Sequence, residues 1–424
     1  MELPLVSIIM PVYNRERILI ETINELLNMK FADYELLLVN DASTDRSAEI
    51  CDSFASEYSH IKAIHQLKNG GPGLARNKGM ELATGQFIFF MDSDDKIDNT
   101  VFDKIAERLR ANPQIDILTL NHKEITPQGT HEVRIVEHDK EYDADDLLSD
   151  KAALLHLAVW RSLFNHSFLK NNNLTFFDIK THEDICFNSL AFLSAKTIHT
   201  MPDIFYFYYR HFSENSLVDT FTVQENYKGI EFCSKQMDLF IQKNAISEAK
   251  QRAVDHFIYA STLSLIDKMS LDEIADYKFF SSDVEFETFT VNLSLYRQYG
   301  MLGCAAYVWG FIRKQVQLQS EQLGKDIYFC PAGKLSVSFA QRITNKGSQI
   351  VGILDNNCRL DNFHIVEAQK ANSIHVYPFS QLEKYKKPED YFIIVLGSMN
   401  TARAISRQLD QLGLVKNINY VSGV

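Results

Sequence analysis

Phe87-Ile88-Phe89-Phe90-Met91-Asp92-Ser93-Asp94-Asp95 decides how the rest of the chain reads. Five apolar residues run into three carboxylates within four positions. An unbroken apolar run of this length predicts a strand buried on both faces, as in parallel sheets. The acids then stand at the strand's C-terminal end, where open α/β sheets hold their ligands. Carboxylates crowded against a core repel one another and lose hydration. A divalent cation relieves both problems, and Mg²⁺ or Mn²⁺ is commonly held by one or two carboxylates plus substrate phosphates. Taken alone, Asp92-Ser93-Asp94 reads as a solvated acidic turn; the surrounding sequence reverses that reading.

Outward from this strand, strand and helix signals alternate. Strands are expected at 6–11, 34–39, 61–65 and 87–91. Helices are expected at 16–27, within 42–58 and at 74–83, the last after a tight turn Gly70-Gly71-Pro72-Gly73. This spacing predicts an α/β domain with a doubly wound, mostly parallel sheet. A helix at 101–110, a strand at 115–121, a polar hairpin or excursion at 126–146, and helices at 147–157 and 183–195 follow. The pattern is helical over 222–321 and returns to α/β over 322–424, with strands at 326–330, 350–354 and 391–396 and helices at 337–346 and 401–412. The expected division is therefore 1–221, 222–321 and 322–424.

The chain has 424 residues, 46% of them hydrophobic and 23% charged, which suits a soluble protein of two or three domains. A net charge of −12 argues against nucleic acid as the main partner and against broad adhesion to anionic lipid. The six cysteines, at 51, 186, 233, 304, 330 and 358, form no Cys-x-x-Cys pair, which fits reduced, buried thiols in a cytoplasmic protein. The N-terminus enters a strand pattern at once, without a leader-like segment. No apolar run approaches the roughly 18 to 20 residues of a membrane span.

Six motifs in order carry a resemblance. They are Pro11-Val12-Tyr13-Asn14; Asn40-Asp41-Ala42-Ser43-Thr44-Asp45; Gly73-Leu74-Ala75-Arg76-Asn77-Lys78-Gly79; Asp92-Ser93-Asp94-Asp95; His182-Glu183-Asp184; and the aromatic run 205–210 with Glu214-Asn215-Ser216 behind it. Each is weak alone; their order is specific. Over about residues 4–220 the chain resembles the inverting family 2 glycosyltransferases of GT-A fold. It departs at Asn40-Asp41-Ala42, where that family often has Asp-Asp-Gly.

The resemblance implies a UDP-sugar donor, Mn²⁺ or Mg²⁺, and a glycan or lipid-linked glycan acceptor. It assigns Pro11, Tyr13, Asn14, Asp41, Arg76, Asp92, Ser93 and Arg210 to the nucleotide, with Asp41 reading uracil. Asp92, Asp94 and His211 fall to the metal, Asp184 to the general base, and Trp160 and Glu183 to the acceptor. The residues by themselves leave alternatives. Asp41 also suits a turn or helix cap, with Ser43 able to cap the following helix. Arg76 could be a surface arginine after a turn. Thr181 or His182 could cap a helix whose dipole favours Glu183 and Asp184 in its first turn. Asp95 reads as a helix-entry residue rather than a ligand. Residues 205–209 read as a buried strand, Arg210 as either a diphosphate contact or a core-rim arginine, and Trp160 as either an acceptor platform or core.

The apolar run 301–312, followed by Arg313 and Lys314, suits peripheral membrane contact, or a packed helix or subunit interface of a homo-oligomer. Residues 326–424 resemble Rossmann-like domains of sugar-modifying bacterial proteins, through Cys330-Pro331-Ala332-Gly333-Lys334-Leu335-Ser336 and Asp355. Pro331 and Ser336 stand where a dinucleotide fingerprint needs glycine, which favours a role in assembly or acceptor positioning. The expected activity is metal-dependent inverting transfer of a hexose or N-acetylhexosamine from UDP in bacterial surface polysaccharide assembly. Two alternatives stay open: a bifunctional enzyme with a second nucleotide-dependent activity in the C-terminal domain, and a silent binding or scaffold protein. The acids at 41, 92, 94 and 184 speak against the second.

Overall fold

A computed structural model of the chain describes residues 3–127, 129–210, 221–268, 293–316, 318–319, 323–330, 352–354, 364–365, 374–377, 387–396, 399–416 and 418–422. The contacts divide it into two units, Met1–Val254 and Asp255–Val424. The break that the sequence pattern placed at 221/222 thus lies inside the first unit.

The first unit opens with strand β1 (Val6–Val12), helix α1 (Leu19–Leu27), β2 (Tyr34–Asn40), α2 (Ser47–Glu57), β3 (Ile61–His65), α3 (Gly71–Leu82) and β4 (Phe87–Phe90). Every residue of β1, β2 and β4 is buried, as continuous apolar runs require. Helix α1 starts at Leu19 rather than 16 because the N–H groups of Ile18 and Leu19 both bond the carbonyl of Arg15 in a tight turn. Helix α3 starts earlier than expected. The glycine run lies within its first turn, with Pro72 at a position where a missing N–H costs nothing.

The unit continues with β5 (Lys96–Ile97), α4 (Asn99–Ala111), β6 (Ile117–Thr126), β7 (Gly129–Val133), β8 (Lys140–Asp143), α5 (Ala144–Asp150), β9 (Ser162–Asn165), α6 (His166–Asn171), α7 (Glu183–Ser194), β10 (Thr197–Tyr209) and α8 (Val223–Lys243). The expected helix at 147–157 is split: α5 ends at Asp150 and a 3₁₀ turn, Ala152–His156, follows. The sheet order is β3-β2-β1-β4-β9-β6-β10-β5, with β7 paired to β6 and β8 to β10. Strands β3, β2, β1 and β4 are parallel, the nucleotide-binding half of a doubly wound sheet. β9 inserts antiparallel between β4 and β6, and β10 runs parallel to β6. The polar stretch expected near 126–146 is in part a hairpin, with Thr126 opposite Gly129.

Helix α9 (Glu248–Lys268) follows. Described elements of the second unit are α10 (Leu293–Val316), β11 (Asp326–Cys330), β12 (Gly352–Leu354), β13 (His364–Ile365), β14 (Ile374–Tyr377), β15 (Tyr391–Val395), α11 (Met399–Gln411) and β16 (Tyr420–Ser422). Their order is β13-β14-β12-β11-β15-β16, parallel from β14 to β16. Counted from β11 along the parallel strands this is 3-2-1-4-5. Residues 331–336, the helix expected at 337–346 and Asp355 lie outside the described residues. Within the run 301–312, Met301, Cys304, Ala305, Val308, Trp309, Phe311 and Ile312 are buried. Among the described residues no helix is long and apolar enough to cross a membrane.

Candidate active site

Parallel pairing of β1 with β2 and β4 makes three strand ends leave the sheet along one edge. Tyr13 and Asn14 follow β1, Asp41 follows β2, and Asp92 follows β4 by one residue. Pro11 is buried within β1, and Tyr13 is exposed at the edge. Two left-handed residues turn the chain there, Asn14 at φ 53° and Ala42 at φ 55°. The Asn14 N–H donates to Ser43 Oγ at 3.0 Å and its Oδ1 accepts the Thr44 N–H at 2.8 Å, tying the two loops together. Ser43 is thus engaged across the loops, and it is Asp45 that accepts the Ser47 N–H at the start of α2, at 2.9 Å.

Asp41 is buried, and its carboxylate gathers the start of α3. Oδ1 accepts from the Gly70 N–H at 2.8 Å and Gln66 Nε2 at 2.9 Å, and Oδ2 accepts from the Gly71 N–H at 2.8 Å. Burial raises its pKa against the pull of the two glycine N–H groups. The structure therefore shows Asp41 capping a helix, α3 rather than the one that follows it in sequence.

Arg76 is not a surface residue. Its side chain is 4% exposed, with Nη2 2.7 Å from Asp92 Oδ1 and Nη1 3.1 Å from Glu183 Oε1. Beneath it lies the Phe176 ring, 5.4 Å away, stacked at 4.1 Å on Phe187. A buried guanidinium needs such partners, and the bond to Asp92 is of the short, charge-assisted kind. Arg76 thus ties the acidic loop after β4 to the start of α7.

Within that loop the three acids differ. Asp92 is partly exposed, and its N–H donates to Tyr206 Oη at 3.1 Å. Ser93 is buried, with its carbonyl accepting from Thr22 Oγ1 at 3.0 Å, so its contact is with α1. Asp94 Oδ2 lies 3.0 Å from Arg15 Nη2. Asp95 is buried and accepts from Tyr206 Oη and the Tyr209 N–H, both at 2.8 Å. Burial, with Asp92 and Asp94 nearby, pushes its pKa well up, and its packing inside the fold agrees with the non-ligand reading.

The start of α7 brings the second acidic pair. His182 precedes it in a left-handed turn, φ 63°, and its carbonyl accepts the Cys186 N–H at 2.9 Å. Its side chain does not cap the helix. Asp184 Oδ1 accepts the Ile185 N–H at 2.8 Å. Burial raises the pKa of both acids, with Asp184 adding to the rise at Glu183; Arg76 pulls each back toward ionisation. Helix α3 passes so close that a Cβ on Gly73 would sit 2.8 Å from Glu183 Cγ.

Trp160 does not line this cleft. It is 7% exposed, stacked on Tyr206 at 4.4 Å and on Tyr208 at 5.4 Å. Trp160 packs in the core and braces the tyrosine that holds Asp92 and Asp95. Arg210 is exposed at the end of β10, its N–H on the Ile125 carbonyl at 2.9 Å. His211 and the 214–216 segment lie outside the described residues. Sequence reading gave no role to Arg15 or Tyr206, although Arg15 directly follows Pro11-Val12-Tyr13-Asn14 and Tyr206 lies within the aromatic run 205–210.

Residues 7–169 match Glycosyl transferase family 2. The chain is 30% identical over 268 residues to EpsH of Bacillus subtilis (strain 168), which carries a glycosyltransferase name, covering 61% of this chain and 75% of that protein. The chain belongs to glycosyl transferase family 2. It is also 31% identical over 278 residues to the poly(ribitol-phosphate) beta-glucosyltransferase of Bacillus spizizenii (strain ATCC 23059 / NRRL B-14472 / W23), covering 63% of this chain and 42% of that protein. The chain spans between 35 and 61% of the length of four of the curated relatives it matches. The crystal structure of S. aureus TarS 1-349 in complex with UDP-GlcNAc superposes with TM-score 0.58 at 22% identity, over 76% of this chain and 92% of that one, which shows a shared fold.

In this family 2 chain the acids near β4 have the oxygen chemistry that Mg²⁺ or Mn²⁺ takes. Each has one oxygen on an arginine, Asp92 on Arg76 and Asp94 on Arg15. Among the described residues no three His, Cys, Asp or Glu side chains stand together as a ready metal cage.

Proposed function

We propose that this chain is an inverting glycosyltransferase that moves a hexose or N-acetylhexosamine from a UDP-sugar to a glycan or polyol-phosphate acceptor in surface polymer assembly. The observation that carries the proposal is the Arg76 bridge. It draws the acid at the end of β4, on the donor edge, to the acids at the start of α7. The name of the poly(ribitol-phosphate) beta-glucosyltransferase and the UDP-GlcNAc held by TarS favour a UDP-hexose or UDP-N-acetylhexosamine donor and a polyol-phosphate acceptor. Five described cysteines are buried, which suits a cytoplasmic enzyme.

In this reading the edge formed by Tyr13, Asn14 and Asp41 receives the nucleotide. Asp92 and Asp94 would hold Mg²⁺ or Mn²⁺, which when bound supplies Lewis-acid stabilisation of the leaving diphosphate. Asp184 takes the proton of the acceptor hydroxyl as its oxygen bonds to the anomeric carbon from the face opposite the diphosphate. The C1–O bond to phosphate breaks, its electron pair leaves with UDP, and the anomeric configuration inverts. Glu183, fixed by Arg76, keeps Asp184 in place.

Asp184→Asn tests this. The amide keeps the shape but cannot take the proton, so transfer should fall by at least about 10²-fold while UDP affinity stays within a few-fold. Transfer that survives the substitution would move the base elsewhere, Glu183 being next. Loss of UDP binding as well would make Asp184 structural.

A further inference from the structure

Arg15 stands against the acid that the metal reading needs. Its Nη2 is 3.0 Å from Asp94 Oδ2, and both side chains are only partly exposed, 25% and 32%. The guanidinium is aimed there by its surroundings. Its Nη1 reaches the carbonyls of Tyr13 and Asn14, each at 3.4 Å, and its N–H is fixed on Ser47 Oγ at 2.7 Å. The left-handed turn at Asn14 sets the direction in which Arg15 leaves β1. We propose that Arg15 is a latch on this site: without donor it neutralises Asp94, and a divalent cation arriving with a nucleoside diphosphate must displace it.

The physical reason is competition for one carboxylate. A cation–carboxylate contact at 3 Å occupies the position and supplies the charge that a metal ion would. Asp92 is already paired with Arg76, and Asp94 stands beside it at the rim of a buried strand; Arg15 supplies the cation for Asp94 in the resting chain. The ion alone then has little to gain by replacing it, whereas an ion already carrying diphosphate oxygens brings ligands of its own. Metal affinity is thereby coupled to donor binding, and the free enzyme is spared adventitious metal. This inference rests on the metal-dependent reading of the site.

The test is calorimetric titration of the full chain with Mn²⁺ alone, and separately with UDP with and without Mn²⁺. Arg15→Gln should bind Mn²⁺ alone about five-fold more tightly than the unaltered chain, the gain that freeing a partly exposed ion pair can give. Adding Asp94→Asn to that variant should remove the gain. Equal Mn²⁺ affinities in Arg15→Gln and the unaltered chain overturn the latch, and so does a gain that survives Asp94→Asn. Absence of Mn²⁺ binding to Arg15→Gln also overturns it, yet leaves the transferase reading standing if UDP binds. Absence of UDP binding to the unaltered chain under every condition defeats the transferase reading instead, whatever Mn²⁺ does. Circular-dichroism melts of each variant exclude loss of fold as the cause.

Discussion

One guanidinium holds together parts of the site that are far apart in sequence. Arg76 reaches Asp92, 16 residues away, and Glu183, 107 residues away, from inside the protein. Removing one partner of a buried pair leaves charge without compensation, which typically costs about 3 to 5 kcal/mol. Arg76→Ala should therefore lower stability by roughly that amount in urea unfolding, and should weaken transfer through misplacement of α7. Arg76→Lys keeps the charge but not the fork that meets two carboxylates, and should recover stability only in part. An Arg76→Ala chain that unfolds at the original urea concentration would show that the bridge carries little. Ala42 is informative at the same scale. It adopts φ 55° where related sequences often have glycine, so the departure visible in the sequence lies at a position that strains any side chain.

Helix α8 matters through what it presses on. Its start is well made: Thr222 accepts the Glu225 N–H, and Glu225 returns a bond to the Thr222 N–H. Further along, Gly229 meets the turn just before α7. A Cβ there would lie 2.7 Å from the Thr181 carbonyl and 2.8 Å from His182 Nδ1, with Thr181 Oγ1 closer still. Thr181 Oγ1 also donates to the Glu225 carbonyl, and Cys233 Sγ reaches the His182 carbonyl at 3.4 Å. The turn that aims Glu183 and Asp184 is thus seated on α8. Gly229→Ala should cost about 1 to 3 kcal/mol, as overpacking of a tight contact does, and should reduce transfer while leaving UDP affinity nearly unchanged. Calorimetric melting beside a UDP titration checks this. A variant with unaltered melting and turnover would mean that the two elements slide apart without consequence.

Across the whole first unit, acid stability depends on a carboxylate far from the cleft. Glu35, buried in β2, accepts from Lys62 Nζ at 2.7 Å, the Thr84 N–H at 2.6 Å, Thr84 Oγ1 at 2.8 Å and Ser7 Oγ at 2.7 Å. Burial alone would raise its pKa; these four donors outweigh burial and hold it at about 2, below the ordinary 4.5. Between those values the unfolded chain binds the extra proton, so stability rises with pH there. The contribution is complete above about pH 5 and is lost as pH falls toward 2. Lys62 is half exposed, and after solvent screening the contribution is about 2 to 3 kcal/mol. Urea unfolding midpoints should fall over that range, and Glu35→Gln should flatten the fall. A slope identical in Glu35→Gln would place the acid sensitivity elsewhere.

Period and composition determined the layers of this protein. Apolar runs at 6–11, 34–39 and 87–91 could only be buried strands, and their alternation with amphipathic helices required a parallel sheet with its acids at one edge. The order of six short motifs was enough to point to the family. Partner choice was a matter for the tertiary structure alone. A sequence shows that Arg76, Asp92 and Glu183 exist; only folding brings α3, the loop after β4 and α7 close enough for one buried cation to bind both acids. Likewise, nothing in the spacing shows that Asp41 caps α3, that Trp160 lies under Tyr206, or that Arg15 faces Asp94. Local pattern follows from backbone period and burial, which act over a few residues. Charge pairing acts through space, so it is fixed only when strands distant in sequence are laid side by side.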